Sequence, residues 1–210
     1  MGKYITEFIG SFFLVLTVAL SGEPLAIGAV LMVMVFAGGH ISGAHYNPAV
    51  TLAVLIRGKI SAFDAFVYMA VQILGAIAAA YLAKWFIGDV TIAELDISGR
   101  TYKVIVAELL GTFALAYVVL NVATAKGNTG NSFYGLAIGF TVFAMASAFG
   151  KISGGAFNPA VAIGVTIMEV FKWENIWVYL VACFGGGALA GLVFNFINRE
   201  DKPMPPLPDV

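Results

Sequence analysis

The chain has 210 residues, of which 60% are hydrophobic and only 11% are charged, whereas a soluble domain carries about 25% charged residues. This composition excludes an ordinary soluble domain and indicates a membrane protein. The net charge of −1 gives no basic surface for a nucleic-acid partner, and the single Cys183 excludes an intrachain disulfide framework and a Cys-based metal site.

Six apolar segments of the chain are long enough to cross a bilayer as helices. A hydrocarbon core roughly 30 Å thick requires about 20 helical residues. Two further apolar stretches, 48–56 and 159–168, reach only about halfway across, because an α-helix rises about 1.5 Å per residue. We therefore predict an all-α membrane protein with six transmembrane helices and two re-entrant half-helices. The six spans are predicted at about 4–20, 24–40, 62–87, 102–123, 132–149 and 175–197.

The second half of the chain repeats the first at a fixed spacing. Residues 25–50 and 136–161 share about half of their amino acids, and Glu7 in the first span corresponds to Glu108 in the fourth. The N-terminal apolar run is therefore interpreted as a span and not as a cleaved signal peptide. Each half holds three spans, an odd number, so the second half must cross the membrane in the opposite orientation, and function is expected near the midplane. The chain is interpreted as one domain, 1–210, with inverted repeats at about 1–87 and 102–198 and a linker at 88–101.

An Asn-Pro-Ala motif occurs at the start of each predicted half-helix. Asn is a favoured N-cap, and Pro suits the first helical position because its missing N–H would have no partner there. The Gly-rich stretches before the motifs, 41–46 and 152–157, are predicted to be irregular backbone. Such backbone is tolerated at membrane depth only inside the protein or along a water-filled cavity. The motif residues are Asn47, Pro48, Ala49, Asn158, Pro159 and Ala160.

The two half-helices are expected to meet tip to tip at the midplane. Each helix N-terminus carries roughly half a positive charge, which repels cations and protons. The amide groups of Asn47 and Asn158 would donate hydrogen bonds into the lumen, so that a passing water gives its oxygen to them and cannot bond its neighbours in line. The paired motifs therefore predict a pore for small uncharged molecules.

These features resemble the aquaporin, or major intrinsic protein, family. A double Asn-Pro-Ala motif within a six-span inverted repeat is specific to that family, and the resemblance extends from Glu7 to about Asn195. It implies a passive water channel in a homotetramer with one pore per subunit, surrounded by membrane lipid. It also implies a multi-pass protein of the cell membrane with both termini in the cytoplasm.

The resemblance also implies roles for polar residues near the loops. Charged groups inside a membrane are costly, and Glu7 and Glu108 match glutamates that accept hydrogen bonds from the re-entrant backbones in aquaporins. Gln72 in the third span is assigned a similar role, and His40 and His45 are interpreted as hydrogen-bonded struts of the first loop. These residues form no nucleophile–base or metal-binding set, so we expect neither an enzyme nor a cofactor.

The sequence departs from the family pattern at the selectivity filter. Aquaporins usually carry Arg directly after the second motif, where this chain has Val161. Counting from the motifs as in the family places Ile27, Ala146 and Gly155 beside it. This filter is apolar and small-sided and is similar to that of some plant vacuolar members. We expect it to be wide and to pass neutral solutes such as glycerol, urea or ammonia as well as water.

Two other functions are compatible with this architecture. Inverted repeats and broken helices also build coupled secondary transporters, although these usually need an ionisable group in the pathway. Here only His40 or His45 could supply such a group. A structural membrane protein could also retain the fold without conducting. We favour the passive channel, because none of the motif residues is ionisable.

Overall fold

The computed structural model describes residues 1–88 and 94–199, and the regular structure within these ranges is helical throughout. Six of the described helices are long and apolar enough to cross a membrane, and two more have nine residues each. The predicted all-α fold with six spanning helices and two half-helices is therefore confirmed. The helices are α1 (Gly2–Ser21), α2 (Pro24–Ser42), α3 (Pro48–Ile56), α4 (Ala62–Ile87), α5 (Thr101–Thr124), α6 (Tyr134–Ser153), α7 (Pro159–Ile167) and α8 (Ile176–Ile197).

Glycines end the helices that lead into the two loops. α2 and α6 stop at Gly43 and Gly154, whose φ angles of 86° and 89° lie in the left-handed region that favours glycine. Each glycine N–H donates to the carbonyl four residues earlier and so closes its helix. The predicted irregular stretches, 41–46 and 152–157, are therefore wrong at their first two residues. Ile and Ser at those positions remain helical until the glycine reverses the backbone.

The half-helices exchange partners between the two halves of the chain. Within each half the long helices pack on one another, α1 on α4 and α5 on α8, and among the long helices the two halves meet where α2 packs on α6. α3, from the first half, packs mainly on α8, and α7, from the second half, packs mainly on α4. This exchange brings the N-termini of α3 and α7 together in the middle of the helix bundle.

Two glycines allow α2 and α6 to approach closely where the halves meet. Gly28 and Gly139 correspond in the repeat, and a Cβ atom on Gly28 would lie 2.6 Å from the carbonyl oxygen of Gly139. A Cβ atom on Gly139 would likewise collide with the backbone of Gly28. Small residues at such crossings let helix backbones pack at short range in a membrane. The neighbouring Ile27 and Ile138 are thereby held on the wall of a central channel.

Candidate functional site

The tips of the half-helices are joined by their two asparagines. Asn47 Oδ1 accepts the N–H of Ala49 at 2.8 Å, and Asn158 Oδ1 accepts the N–H of Ala160 at 2.9 Å, so each side chain caps its own helix. Each amide also crosses to the opposite loop. Asn47 Nδ2 donates to the carbonyl of Phe157, and Asn158 Nδ2 donates to the carbonyl that precedes Asn47, both at 2.9 Å. Because an amide nitrogen carries two hydrogens, each asparagine retains one donor for the channel.

Glu7 holds the first loop from α1. Its Oε1 accepts the backbone N–H of His45 at 2.9 Å and the hydroxyl of Ser42 at 2.6 Å, and its Oε2 accepts the N–H of Tyr46 at 2.7 Å. The carboxylate is completely buried. A carboxylate that accepts several N–H and O–H donors fixes the direction of each, and buried backbone donors are costly if left without a partner. Glu7 therefore sets the path of the backbone into the first motif.

Glu108 holds the second loop from α5 in the same way. Its Oε1 accepts the hydroxyl of Ser153 at 2.6 Å and the N–H of Ala156 at 3.0 Å, and its Oε2 accepts the N–H of Phe157 at 2.7 Å. This side chain is also completely buried. The two glutamates therefore make matching contacts in the two halves.

The support of the two loops differs at Gln72 and at Thr51. Gln72 Nε2 donates to Glu7 Oε2 at 2.8 Å and to Thr51 Oγ1 at 3.0 Å. The repeat counterpart of Gln72 is Cys183, whose thiol, a weak donor, lies 3.6 Å from Glu108 Oε2. The first loop is therefore held by one more strong hydrogen bond than the second. Gln72 was identified from the sequence, but Thr51 was not. Its position one helical turn after Asn47 could have indicated a hydroxyl close to the loop.

The residue before each motif is an aromatic side chain whose packing was not identified from the sequence. Tyr46 and Phe157 have φ angles of 49° and 47°, a strained conformation for bulky residues. Their rings lie against Gly10 of α1 and Gly111 of α5, where a Cβ atom would overlap the ring. The corresponding glycines in two matching helices were a usable signal for this packing. The strained backbone is therefore held in place by the packing of these rings on the glycines as well as by the hydrogen bonds to the glutamates.

The two histidines lie in different environments. His45 is buried, with Nδ1 3.1 Å from Thr51 Oγ1 and its ring edge-on to Tyr68 at 5.2 Å between centroids. His40 is exposed on the last turn of α2, beside a surface groove, and does not line the channel. The prediction of His40 as a loop strut is corrected, because α2 continues to Ser42 and keeps this residue on the helix surface. Within the described ranges, no group of three or more His, Cys, Asp or Glu side chains could hold a metal ion.

A narrow channel runs past the paired asparagines and joins two wide vestibules. The vestibule beside the 88–101 linker, the linker-side vestibule, has a volume of about 500 Å³. The vestibule beside Lys3, the N-terminal-side vestibule, has a volume of about 450 Å³. The channel between them has only about 30 Å³, room for two or three waters in file if each needs about 10–15 Å³. Apart from the residues of the two loops and the asparagines, its wall is aliphatic and includes Leu14, Leu31, Leu115, Val119, Ile138 and Val142.

The four predicted filter residues surround the linker-side mouth of the channel. Ile27 and Gly155 line both the vestibule and the narrow channel, so they mark the junction. Ala146 lines only the vestibule, and Val161, which is 4% exposed, lines only the channel. The opening is therefore wide at Ala146, and the pore narrows beyond it, where aliphatic side chains of the long helices converge.

The described end of the linker contacts the loop after α7, whose Val170 and Phe171 line the linker-side vestibule. The N–H of Leu95 donates to the carbonyl of Val170 at 2.8 Å, and the ammonium of Lys172 lies 3.0 Å from the carboxylate of Glu94. The hydrogen bond to Glu94 raises the pKa of Lys172 above its ordinary value. Residues 89–93 of the predicted linker lie outside the described residues. The loop after α7 and the linker are thus joined at the channel mouth.

Known proteins resemble this chain both in sequence and in fold. The model of the major intrinsic protein family matches residues 1–194. An aquaporin from Zea mays is 37% identical, over 90% of this chain and 75% of the relative. Glycerol uptake facilitator protein-like 6 from Lactiplantibacillus plantarum is 35% identical, over 96% of this chain and 100% of the relative. The X-ray structure of the aquaglyceroporin from Plasmodium falciparum shares the fold, with a TM-score of 0.80 at 22% identity, over 95% of this chain and 97% of that one.

Proposed function

Because this chain belongs to the major intrinsic protein family, we propose that it is a passive transmembrane channel for water and small neutral solutes. The observation that carries the proposal is the pair of crossed asparagines, Asn47 and Asn158, in the middle of a channel that joins two vestibules. The narrow channel shares Ile27 and Gly155 with one vestibule and His45 and Val119 with the other, so it lies between the two vestibules.

The paired asparagines orient a passing molecule by hydrogen bonding. A water at the centre accepts from the remaining N–H groups of Asn47 and Asn158 with its oxygen. The aliphatic wall around it offers no competing partner, so this water cannot continue a hydrogen-bonded file in the direction that proton transfer requires. The N-termini of α3 and α7 both point at this place, and their partial positive charges repel cations. Neutral molecules that fit the channel pass, and ions and protons do not.

The linker-side mouth acts as the filter in this proposal. Ile27, Ala146, Gly155 and Val161 present no fixed charge and no bulky aromatic ring to the entering solute. The main free-energy cost at this mouth is therefore the desolvation of the neutral solute. The size of the solute decides whether it continues into the narrow channel. We assign glycerol, urea and ammonia, besides water, to the solutes that are small enough.

The whole chain, 1–210, forms one channel domain with inverted repeats at about 1–87 and 102–198. The protein is an integral, multi-pass membrane protein. We further propose that it is a homotetramer in the lipid of the cell membrane, with one pore per subunit and both termini in the cytoplasm. Large exposed aromatic side chains on α4 and α8, including Trp85, Trp177 and Phe196, suit contact with lipid. No enzymatic activity or cofactor forms part of this assignment.

We expect water flow through this protein to be independent of ion gradients and to be accompanied by no ion current. In proteoliposomes, osmotic water permeability should be the same with and without a sodium or proton gradient, because the described residues of the channel wall include no Asp, Glu, Lys or Arg. In planar bilayers the reconstituted protein should add no conductance. Water flux that required either gradient would instead support a coupled transporter. A protein that folds but leaves water permeability at the level of plain lipid would support a structural role.

A further inference from the structure

A groove of about 500 Å³ lies on the outside of the helix bundle, where the start of α5 meets the end of α6. Among the described residues, it shares no lining residue with the narrow channel, so it is a separate site. Val106 and Leu110 of α5 line it and are 53% and 46% exposed. Its volume lies in the range of roughly 300–1,000 Å³ that is usual for small-molecule sites. The groove is therefore accessible from the surrounding membrane.

Three basic side chains line this groove, and none of its described lining residues is acidic. They are Arg100, Lys103 and Lys151. Within the described part of the chain, none of the three forms a salt bridge with a carboxylate, and Glu94 of the linker pairs instead with Lys172. The groove therefore presents three positive charges and no negative charge to a ligand.

The guanidinium of Arg100 is held in place by the linker. Its Nε and Nη2 donate to the backbone carbonyl of Asp96 at 3.0 and 2.6 Å. The carboxylate of Asp96 accepts the N–H of Ser98 at 2.9 Å. A guanidinium carries five N–H donors, so three of them remain for a ligand. A guanidinium fixed in this way suits the oxygens of a phosphate group, which it can bind with two parallel hydrogen bonds.

The lining of the groove changes from basic to apolar along α5. Arg100 and Lys103 lie at the start of this helix, and Val106 and Leu110 follow Lys103 by about one and two turns on the same face. Because α5 is a membrane-spanning helix, the apolar pair lies deeper in the bilayer than the basic pair. The ammonium of Lys103 lies 5.9 Å from the ring centroid of Tyr102, a residue type enriched at the membrane–water interface. The groove therefore has its charge at headgroup level and its apolar wall at the level of the acyl chains.

We propose that this groove binds an anionic phospholipid, with the phosphate at Arg100, Lys103 and Lys151 and an acyl chain along Val106 and Leu110. Basic pockets between membrane helices are typical sites for anionic headgroups. A free phosphate ion would contact only the basic end and leave the apolar wall uncovered. A zwitterionic lipid would cover the wall but would bring a further positive charge beside the three already there. The site lies outside the channel, so it does not depend on the solute that the channel conducts.

Lipid binding by the full-length protein in detergent tests this proposal. Dioleoyl phosphatidylglycerol and dioleoyl phosphatidylcholine have the same acyl chains and differ in headgroup charge. Each is titrated separately, bound lipid is counted by native mass spectrometry, and thermal unfolding is followed in the same samples. Each basic residue near a membrane surface contributes about fivefold in affinity for an anionic lipid. We therefore expect phosphatidylglycerol to bind about tenfold more tightly or better, and to raise the unfolding temperature more than phosphatidylcholine does.

Substitution of the two lysines locates the site. Lys103→Gln and Lys151→Gln should each weaken the binding of phosphatidylglycerol by about fivefold, and the double variant should lose most of the preference over phosphatidylcholine. Lys84→Gln is the matched control, because Lys84 is an exposed lysine at the linker-side end of α4 and lies outside the groove. Its variant should retain the wild-type affinity. All three lysines are exposed, so the variants should fold, and size-exclusion profiles check this.

Four results would overturn the proposal. Equal affinity for the two lipids in the wild type would mean that the groove does not recognise headgroup charge. Wild-type affinity for phosphatidylglycerol in the double variant would place the lipid elsewhere. Equal stabilisation by inorganic phosphate at the same concentration would identify a site for a free anion. A change of oligomeric mass in the lysine variants, with unchanged lipid affinity, would show that a second copy of the chain covers the groove.

Discussion

Replacement of Glu7 by Leu is expected to lower the stability of the folded chain by roughly 2–6 kcal/mol and to abolish water conduction. The variant leaves the backbone N–H groups of His45 and Tyr46 buried without an acceptor, and each such orphan costs about 1–3 kcal/mol. Gln72 and Ser42 lose a partner as well. The measurement is unfolding in detergent, together with osmotic water permeability in proteoliposomes.

The direction of the stability change in Glu7→Leu shows whether the carboxylate supports the loop. If the buried carboxylate of Glu7 made no stabilising hydrogen bonds, the Leu variant would be more stable than the wild type, because a charge inside the membrane is costly. Glu7→Gln, which keeps one acceptor oxygen, should be destabilised less than Glu7→Leu. Glu174→Leu is the matched control, since this glutamate is exposed outside the channel. Wild-type stability in Glu7→Leu would show that the loop does not depend on this side chain.

Val161→Arg is expected to lower glycerol permeability by about tenfold or more while reducing water permeability less. Val161 lies on the first turn of α7 and faces a channel of about 30 Å³. An Arg side chain at this position must extend toward Ile27 and Gly155, where it occupies the junction between channel and vestibule. Water can still accept hydrogen bonds from the guanidinium in single file, whereas glycerol needs more width. Both fluxes are measured in the same proteoliposome preparation.

A size-matched variant separates bulk from charge in this test. Val161→Met adds length without charge or donors, so it should retard glycerol and leave the exclusion of protons as in the wild type. Unchanged glycerol flux in Val161→Arg would mean that position 161 does not contribute to the filter. If the wild type excludes glycerol and urea while conducting water well, the wide filter expected from the sequence is wrong, although the channel assignment stands.

The elements of the site that depend on local sequence could be predicted. The Asn-Pro-Ala motifs specify helix starts by capping chemistry, and the structure has α3 and α7 starting at Pro48 and Pro159. The spans follow from the length and apolarity of each segment. The start of each loop was misplaced by two residues, because each helix continues through an Ile and a Ser to the glycine whose left-handed backbone ends it.

The parts that depend on tertiary packing could not be predicted from the same signals. The narrow channel is formed where Leu14, Leu31, Leu115 and Val142 converge from four different helices, and nothing in a single segment reveals that they face one path. The exposed position of His40 was missed for a related reason. Its proximity to the motif in sequence suggested a loop role, whereas the continued helix turns its side chain toward the surface.

The most direct test of the channel function is a side-by-side measurement of water and glycerol permeability in proteoliposomes and in plain liposomes of the same lipid. The crossed asparagines and the narrow channel between the vestibules predict that the protein accelerates osmotic water flow well above plain lipid, with a weaker temperature dependence. They also predict that it accelerates glycerol entry. Water flow no faster than in plain liposomes, from protein that is folded and correctly inserted, would contradict the account.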